Sequence, residues 1–92
     1  MTKHTPGPWL LAGRTVYALN EEGFNRFSAL VQDAHAPAYE LNANASLIAA
    51  APELLEALEG MLEAYDDGAQ PEWALPYVRA AHAAIAKARG DA

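Results

Sequence analysis

The sequence predicts an α+β fold in which a small antiparallel sheet packs against two main amphipathic helices. Residues 8–33 hold short runs with β-branched and aromatic residues, separated by glycine-containing turns. Residues 41–92 are rich in alanine and glutamate, and their apolar residues recur every three or four positions. A chain of 92 residues suffices for one modest core, so we expect a single domain over residues 1–92.

Three strands are predicted within residues 8–33. Pro6 and Pro8 exclude a helix at the start of the chain, and residues 9–12 follow them as a short strand. Residues 14–19 and 26–32 form the second and third strands, joined by a turn that contains Gly23. We expect these two strands to pair as an antiparallel hairpin.

The first helical region is predicted over residues 43–66. Asn42 or Asn44 would cap it, because a short side-chain oxygen can accept hydrogen bonds from the first turn. Pro52 is tolerated only near the start of a helix. Two alternatives follow: a helix over 43–50 followed by one over 52–66, or one helix that is kinked near Ala51.

Both helical regions carry an apolar stripe. A second helix is predicted over residues 72–89, with Pro76 near its start and Gly90 after its end. Acidic residues occupy the face of the first helix opposite to its apolar stripe: Glu53, Glu56, Glu59 and Glu63. The apolar positions of that stripe are spaced by three and four: Leu47, Ala51, Leu54, Leu58, Met61 and Tyr65.

Large apolar residues are few, because 22 of the 92 residues are alanine. Alanine favours helix but adds little buried area. A thin core of this kind predicts a homo-oligomer, most simply a dimer, in which copies share apolar faces. The expected core residues are Trp9, Leu10, Val16, Tyr17, Leu19, Phe27, Leu30, Val31, Leu47, Ile48, Leu54, Leu55, Leu58, Leu62, Val78 and Ile85.

Composition excludes several classes of function. The absence of cysteine rules out disulfides, thiolate metal sites and cysteine nucleophiles. A net charge of −6 argues against a nucleic-acid polymer as partner. No apolar run approaches the roughly 18–20 residues of a membrane span, and the polar start is unlike a signal peptide. We therefore expect a soluble intracellular protein that does not bind a membrane.

No catalytic constellation is evident. His4, His35 and His82 are isolated, and the serines lack the context of a nucleophile. The glutamates of the first helix are not joined by residues at metal-ligand spacing, so a solvated helix face is the simpler interpretation. We expect no metal, no cofactor and no enzymatic activity.

Arginine and aromatic residues in the N-terminal part suggest a binding site. Arg14 and Arg26 could lie near one another across the hairpin and bind phosphate, while Trp9, Tyr17 or Phe27 stack on a base. The alternative is that the aromatic rings form core under the helices and the arginines are surface charges. The acidic helical face offers a different possibility, a docking surface for a basic protein.

Two longer motifs carry a resemblance to a known family. His-Thr-Pro-Gly-Pro-Trp occupies residues 4–9, and Ala-Asn-Ala-Ser-Leu-Ile-Ala-Ala-Ala-Pro-Glu-Leu-Leu-Glu-Ala-Leu occupies residues 43–58. With Val-Tyr-Ala-Leu-Asn at 16–20 and Asn-Arg-Phe at 25–27, the chain resembles a widespread family of small bacteriophage and prophage proteins over residues 4–62. Ser46 stands where that resemblance implies a basic residue.

The resemblance implies a phage accessory protein that acts in the cytoplasm of the host bacterium. The leading hypothesis is counter-defence by sequestration: the protein binds a nucleotide-derived host immune signal without cleaving it. The alternative is an inhibitor or adaptor that binds a host defence protein through its acidic helical face. In the first case Asn25 and Asn44 would bind polar edges of the ligand. The polar residues carried over from the motifs are His4, Thr5, Asn20, Asn25, Arg26 and Asn44.

Overall fold

A computed structural model describes residues 4–66, 68 and 71–90. It confirms the α+β fold, with a three-stranded antiparallel sheet followed by three helices. The contacts divide the chain between Glu53 and Leu54 into two compact units. The sheet unit ends at Glu53, and the helical unit begins at Leu54.

The sheet is a meander of β1 (Leu10–Ala12), β2 (Thr15–Leu19) and β3 (Asn25–Leu30). The predicted pairing of the second and third strands is confirmed, with Thr15 opposite Leu30 and Tyr17 opposite Ser28. The third strand ends at Leu30 rather than at residue 32, because its partner begins at Thr15. Beyond that pair, one further hydrogen bond joins the Val31 N–H to the Arg14 carbonyl at 2.9 Å.

The turn between β2 and β3 is built around Asn20 and Gly23. The Asn20 Oδ1 atom accepts hydrogen bonds from the backbone N–H groups of Glu22 at 3.1 Å and Phe24 at 2.9 Å. Gly23 takes a φ of 89°, which only glycine adopts readily, as the sequence predicts. The chain therefore reverses within a few residues and β3 returns along β2.

The first helix begins earlier than predicted, since α1 spans Ala38–Ala49. Pro37 occupies its N-cap position with φ −69° and ψ 148°. The Pro37 carbonyl accepts from the N–H groups of Glu40 and Leu41, so proline starts the first turn without a side-chain cap. The predicted capping role of Asn42 or Asn44 is wrong, because both lie inside α1.

The break at Pro52 is confirmed as a boundary between two helices. α1 ends at Ala49, and α2 spans Ala51–Asp66 with Pro52 in its first turn. Proline is compatible with that position, since the first turn has no intrahelical acceptor for its missing N–H. The single kinked helix is therefore the wrong alternative.

The last predicted helix is divided in two. A 3₁₀ turn at Glu72–Ala74 precedes α3, which spans Leu75–Ala88. Pro76 lies in the first turn of α3, and Gly90 follows its end with φ 78°, as expected from the sequence. Residues 67 and 69–70, which belong to the predicted connection, lie outside the described residues.

The core of the sheet unit lies between β2 and α1. Val16 and Ala18 project from one sheet face and are buried with Leu41 and Ala45 of α1. Of these four, only Val16 belongs to the expected core; Ala18, Leu41 and Ala45 do not. Several expected core residues are exposed instead: Leu10, Leu19, Leu30, Leu47, Ile48 and Leu54.

The helical unit buries few side chains. Leu62, Ala74 and Ile85 are the buried apolar residues in its described part.

None of the helices formed by the described residues is long and apolar enough to cross a membrane.

Candidate functional site

The strand register separates the two arginines of the sheet unit. Arg14 directly precedes β2, whereas Arg26 is the extra residue of a β-bulge opposite the Ala18–Leu19 step. At about 3.3 Å per strand residue, their Cα atoms are roughly 15 Å apart along the hairpin. From the sequence, the two arginines could have been neighbours across the hairpin. The register shows that they do not lie side by side.

The aromatic residues of the sheet unit divide between the two sheet faces. Phe27 is paired with Ala18 on the face that α1 covers, and the Trp9 ring lies 5.0 Å from the Phe27 ring. Tyr17 follows Val16 in β2, so its side chain projects from the opposite face. The structure brings Trp9 and Phe27 together and leaves Tyr17 away from them.

The N-terminal motif folds back on Trp9. The Nδ1 atom of His4 and the Nε1 atom of Trp9 both donate to the Thr5 carbonyl, at 2.9 and 3.0 Å. The two rings meet edge to face with their centroids 6.1 Å apart. The motif residues His4 and Thr5 thus position the Trp9 indole, which rests against Phe27.

Gly7 brings the two sequence motifs into contact. The Gly7–Pro8 peptide bond is cis. A Cβ atom placed on Gly7 would lie 2.9 Å from Pro52 Cβ and 3.8 Å from Glu53 Oε1. The N-terminal segment therefore packs directly on the first turn of α2, at a distance that only glycine permits.

The predicted ligand-binding asparagines lie on different elements. Asn25 is exposed at the start of β3, opposite Leu19, and Asn44 is exposed on α1. Asn20 is engaged in the turn described above. The ligand-binding roles of Asn25 and Asn44 stay predictions.

The helical unit contains a groove that sequence reasoning did not identify. We call it the acidic groove, and it has a volume of about 310 Å³. Glu59, Glu63 and Asp66 of α2 line it together with His82 of α3 and Arg89, which directly follows α3. Leu62 and Ile85 form its apolar floor. The signal for it was the spacing of His82, Ile85 and Arg89 by three and four residues, which places them on one helical face.

An ion pair and a longer polar contact cross the acidic groove. Arg89 donates a hydrogen bond to the Glu59 carboxylate, and His82 Nε2 lies 3.9 Å from an Asp66 carboxylate oxygen. All four side chains are partly exposed. These two contacts join the α2 side of the groove to the α3 side. Because water still reaches the side chains, each contact adds little to the free energy of unfolding.

A second groove of the helical unit is apolar. We call it the apolar groove: it has a volume of about 200 Å³. Trp73 is 69% exposed, Tyr77 72% and Met61 62%, although they line a continuous apolar surface. Sequence reasoning did not single out Trp73 or Tyr77. The principal lining residues are Leu58, Met61, Tyr65, Trp73, Tyr77 and Val78.

Metal ligation has no support in the described part of the chain. Among residues 4–66, 68 and 71–90, no three His, Asp or Glu side chains converge as a metal ion would require.

The comparisons with known proteins support a phage protein family. A family model described as Salmonella phage P22 protein Y8K6 matches residues 1–92. The match includes the C-terminal helix, which lay outside the resemblance over residues 4–62. No curated protein and no solved structure matches the chain.

Proposed function

Since the chain belongs to the family of Salmonella phage P22 protein Y8K6, we propose that it is a phage accessory protein that binds a basic protein of the bacterial host. The observation that carries this proposal is the acidic groove, in which three carboxylates of α2 lie beside an apolar floor. The protein acts as a stoichiometric inhibitor or adaptor, and no bond is broken.

The acidic groove is complementary to a lysine or arginine side chain. The aliphatic stem of such a residue would cover Leu62 and Ile85, and its charged head would reach the carboxylates of Glu63 and Asp66. A charge-assisted hydrogen bond of this kind is about twice as strong as a neutral one. A basic segment of the partner can thus be held by one inserted side chain.

The charge around the groove would favour the same partner. Glu56 is exposed nearer the start of α2 in the same unit. Residues 41–92 contain eight acidic against three basic residues, whereas residues 1–40 contain four against three. A negative field concentrated on one part of the molecule accelerates the approach of a basic partner.

Sequestration of a nucleotide signal has weaker support. That function would use Arg14 and Arg26 for phosphate and Trp9, Tyr17 or Phe27 for stacking. The register places the arginines at opposite ends of β2, and Tyr17 and Phe27 on opposite sheet faces. A ligand would then have to span the sheet, so this function stays a prediction.

The test compares two charge reversals of equal size. Glu63→Lys alters the acidic groove, and Glu22→Lys makes the same change at an exposed turn of the sheet unit. Each protein is immobilised and the host proteins retained from lysate are quantified by mass spectrometry. We expect one host protein that the wild type and Glu22→Lys retain and that Glu63→Lys loses by about tenfold or more.

Equal retention of that host protein by all three proteins would contradict the proposal. The affinity of the purified host protein for each variant would then give the size of the effect.

Native mass spectrometry with cyclic dinucleotides, cyclic trinucleotides and ADP-ribose-type signals tests nucleotide sequestration, the function with weaker support. A stoichiometric mass shift by an unchanged ligand would favour sequestration, whereas a new product would indicate an enzyme.

A further inference from the structure

We propose that the apolar groove of the helical unit is covered by the apolar groove of a second copy of this chain. The occupied surface differs from the acidic groove, so the inference goes beyond the proposed function. Three observations carry it: the area that the groove exposes, the spacing of its residues on α2, and the position of the acidic side chains.

The exposed area fits a dimer. Of the residues that line the apolar groove, Met61, Trp73 and Tyr77 are each more than half exposed, and Tyr65 is 37% exposed. At 150–250 Å² for a whole large aromatic side chain, the exposed fractions of these four offer roughly 500 Å² per copy and about 1,000 Å² for a pair. A specific interface needs about 1,000 Å² in total, so a pair of grooves reaches that size.

The apolar residues of α2 have a spacing that allows two copies of this helix to pack against each other. Leu54, Leu58, Met61 and Tyr65 are separated by four, three and four residues. This is the pattern of a helix–helix seam, in which each side chain inserts between residues of the facing helix. A two-fold axis through the groove would pair α2 of one copy with α2 of the other.

The acidic side chains allow this arrangement in spite of the net charge of −6. Glu59, Glu63 and Asp66 line the acidic groove, whereas Met61, Tyr65 and Tyr77 line the apolar one. Pairing of the apolar grooves therefore keeps the carboxylates of both copies in water. The composition of the seam, with tryptophan, tyrosine and methionine, is that of the buried centre of protein interfaces.

The test measures the mass of the full chain by analytical ultracentrifugation over a wide dilution series. Tyr77→Ser is compared with Tyr39→Ser, because both tyrosines lie in the first turn of a helix and are 72% and 77% exposed. Neither substitution removes a buried side chain, so both variants fold. We expect a dimer of twice the 9.8 kDa chain mass. We also expect Tyr77→Ser to weaken it about tenfold or more, and Tyr39→Ser to leave it unchanged.

A chain that is monomeric at every concentration overturns the proposal. So does a dimer that Tyr77→Ser leaves intact, or one that both variants weaken equally, because self-association would then use another surface. An assembly larger than two copies also overturns it. Glu63→Lys is expected to remain dimeric, which separates this result from the test of host-protein binding.

Discussion

The two units of the molecule use their tryptophans in opposite ways. In the sheet unit, the Trp9 indole contacts the Phe27 ring and is hydrogen-bonded to Thr5. In the helical unit, Trp73 and Tyr77 are mostly exposed. The tryptophan of the sheet unit is thus packed against its own unit, whereas the tryptophan of the helical unit faces outward. This difference fits the proposal that the helical unit binds other molecules.

The largest effect that tests this comparison is expected in the sheet unit. Leu41→Ala removes a side chain that is 6% exposed and lies against β2, and should lower the free energy of unfolding by about 2–5 kcal/mol. Leu47→Ala changes a 64% exposed leucine of the same helix and should shift it by less than about 0.5 kcal/mol. Urea denaturation followed by circular dichroism measures both. Equal losses would show that burial does not distinguish the two positions.

A smaller effect is expected where the two sequence motifs meet. Gly7→Ala would place a methyl group 2.9 Å from Pro52 Cβ and should cost about 1–3 kcal/mol. Gly60→Ala on α2 meets nothing within 4 Å, and should stabilise the helix by about 0.5–1 kcal/mol because alanine is the better helix former. The two midpoints of thermal unfolding should therefore move in opposite directions. A neutral Gly7→Ala would refute the close approach.

The smallest effect concerns the two tryptophans. Trp9→Phe keeps a ring against Phe27 but loses the hydrogen bond to Thr5, and should cost about 0.5–1.5 kcal/mol. Trp73→Phe should leave stability almost unchanged, since Trp73 is mostly exposed. Each variant retains a single tryptophan, so acrylamide quenching of fluorescence reports them separately. Stronger quenching of Trp9 than of Trp73 would show that Trp9 is the more exposed tryptophan, and would contradict the comparison of the two units.

Local signals predicted most of the fold. The turn at Gly23, the pairing of β2 with β3 and the helix boundary at Pro52 each depend on residues close in sequence. The start of α1 was placed too late, because the asparagines at 42 and 44 are good caps in isolation and the role of Pro37 depends on the chain around it. Ala18 and Ala45 were missed as core residues, since nothing distinguishes a buried alanine among 22 of them.

The candidate site was less predictable than the fold. The relative position of Arg14 and Arg26 depends on strand register and on a bulge, and neither is readable from alternation alone. The Arg89–Glu59 pair joins residues 30 positions apart on different helices. Such a groove becomes visible only when the packing of two helices is known.

The meander connectivity of the sheet affects the order in which the elements of this protein fold during synthesis. Each strand pairs with the strand that follows it, and α1 comes directly after β3, so most contacts of the sheet unit close short loops. Short loops cost little entropy, and chains rich in such contacts fold fast. At a synthesis rate of about 5–20 residues per second, the three strands can pair before the last helix is made. The contacts of β1 and β2 with α1 close longer loops, and the contact of Gly7 with Pro52 must wait until all of α1 has been synthesised.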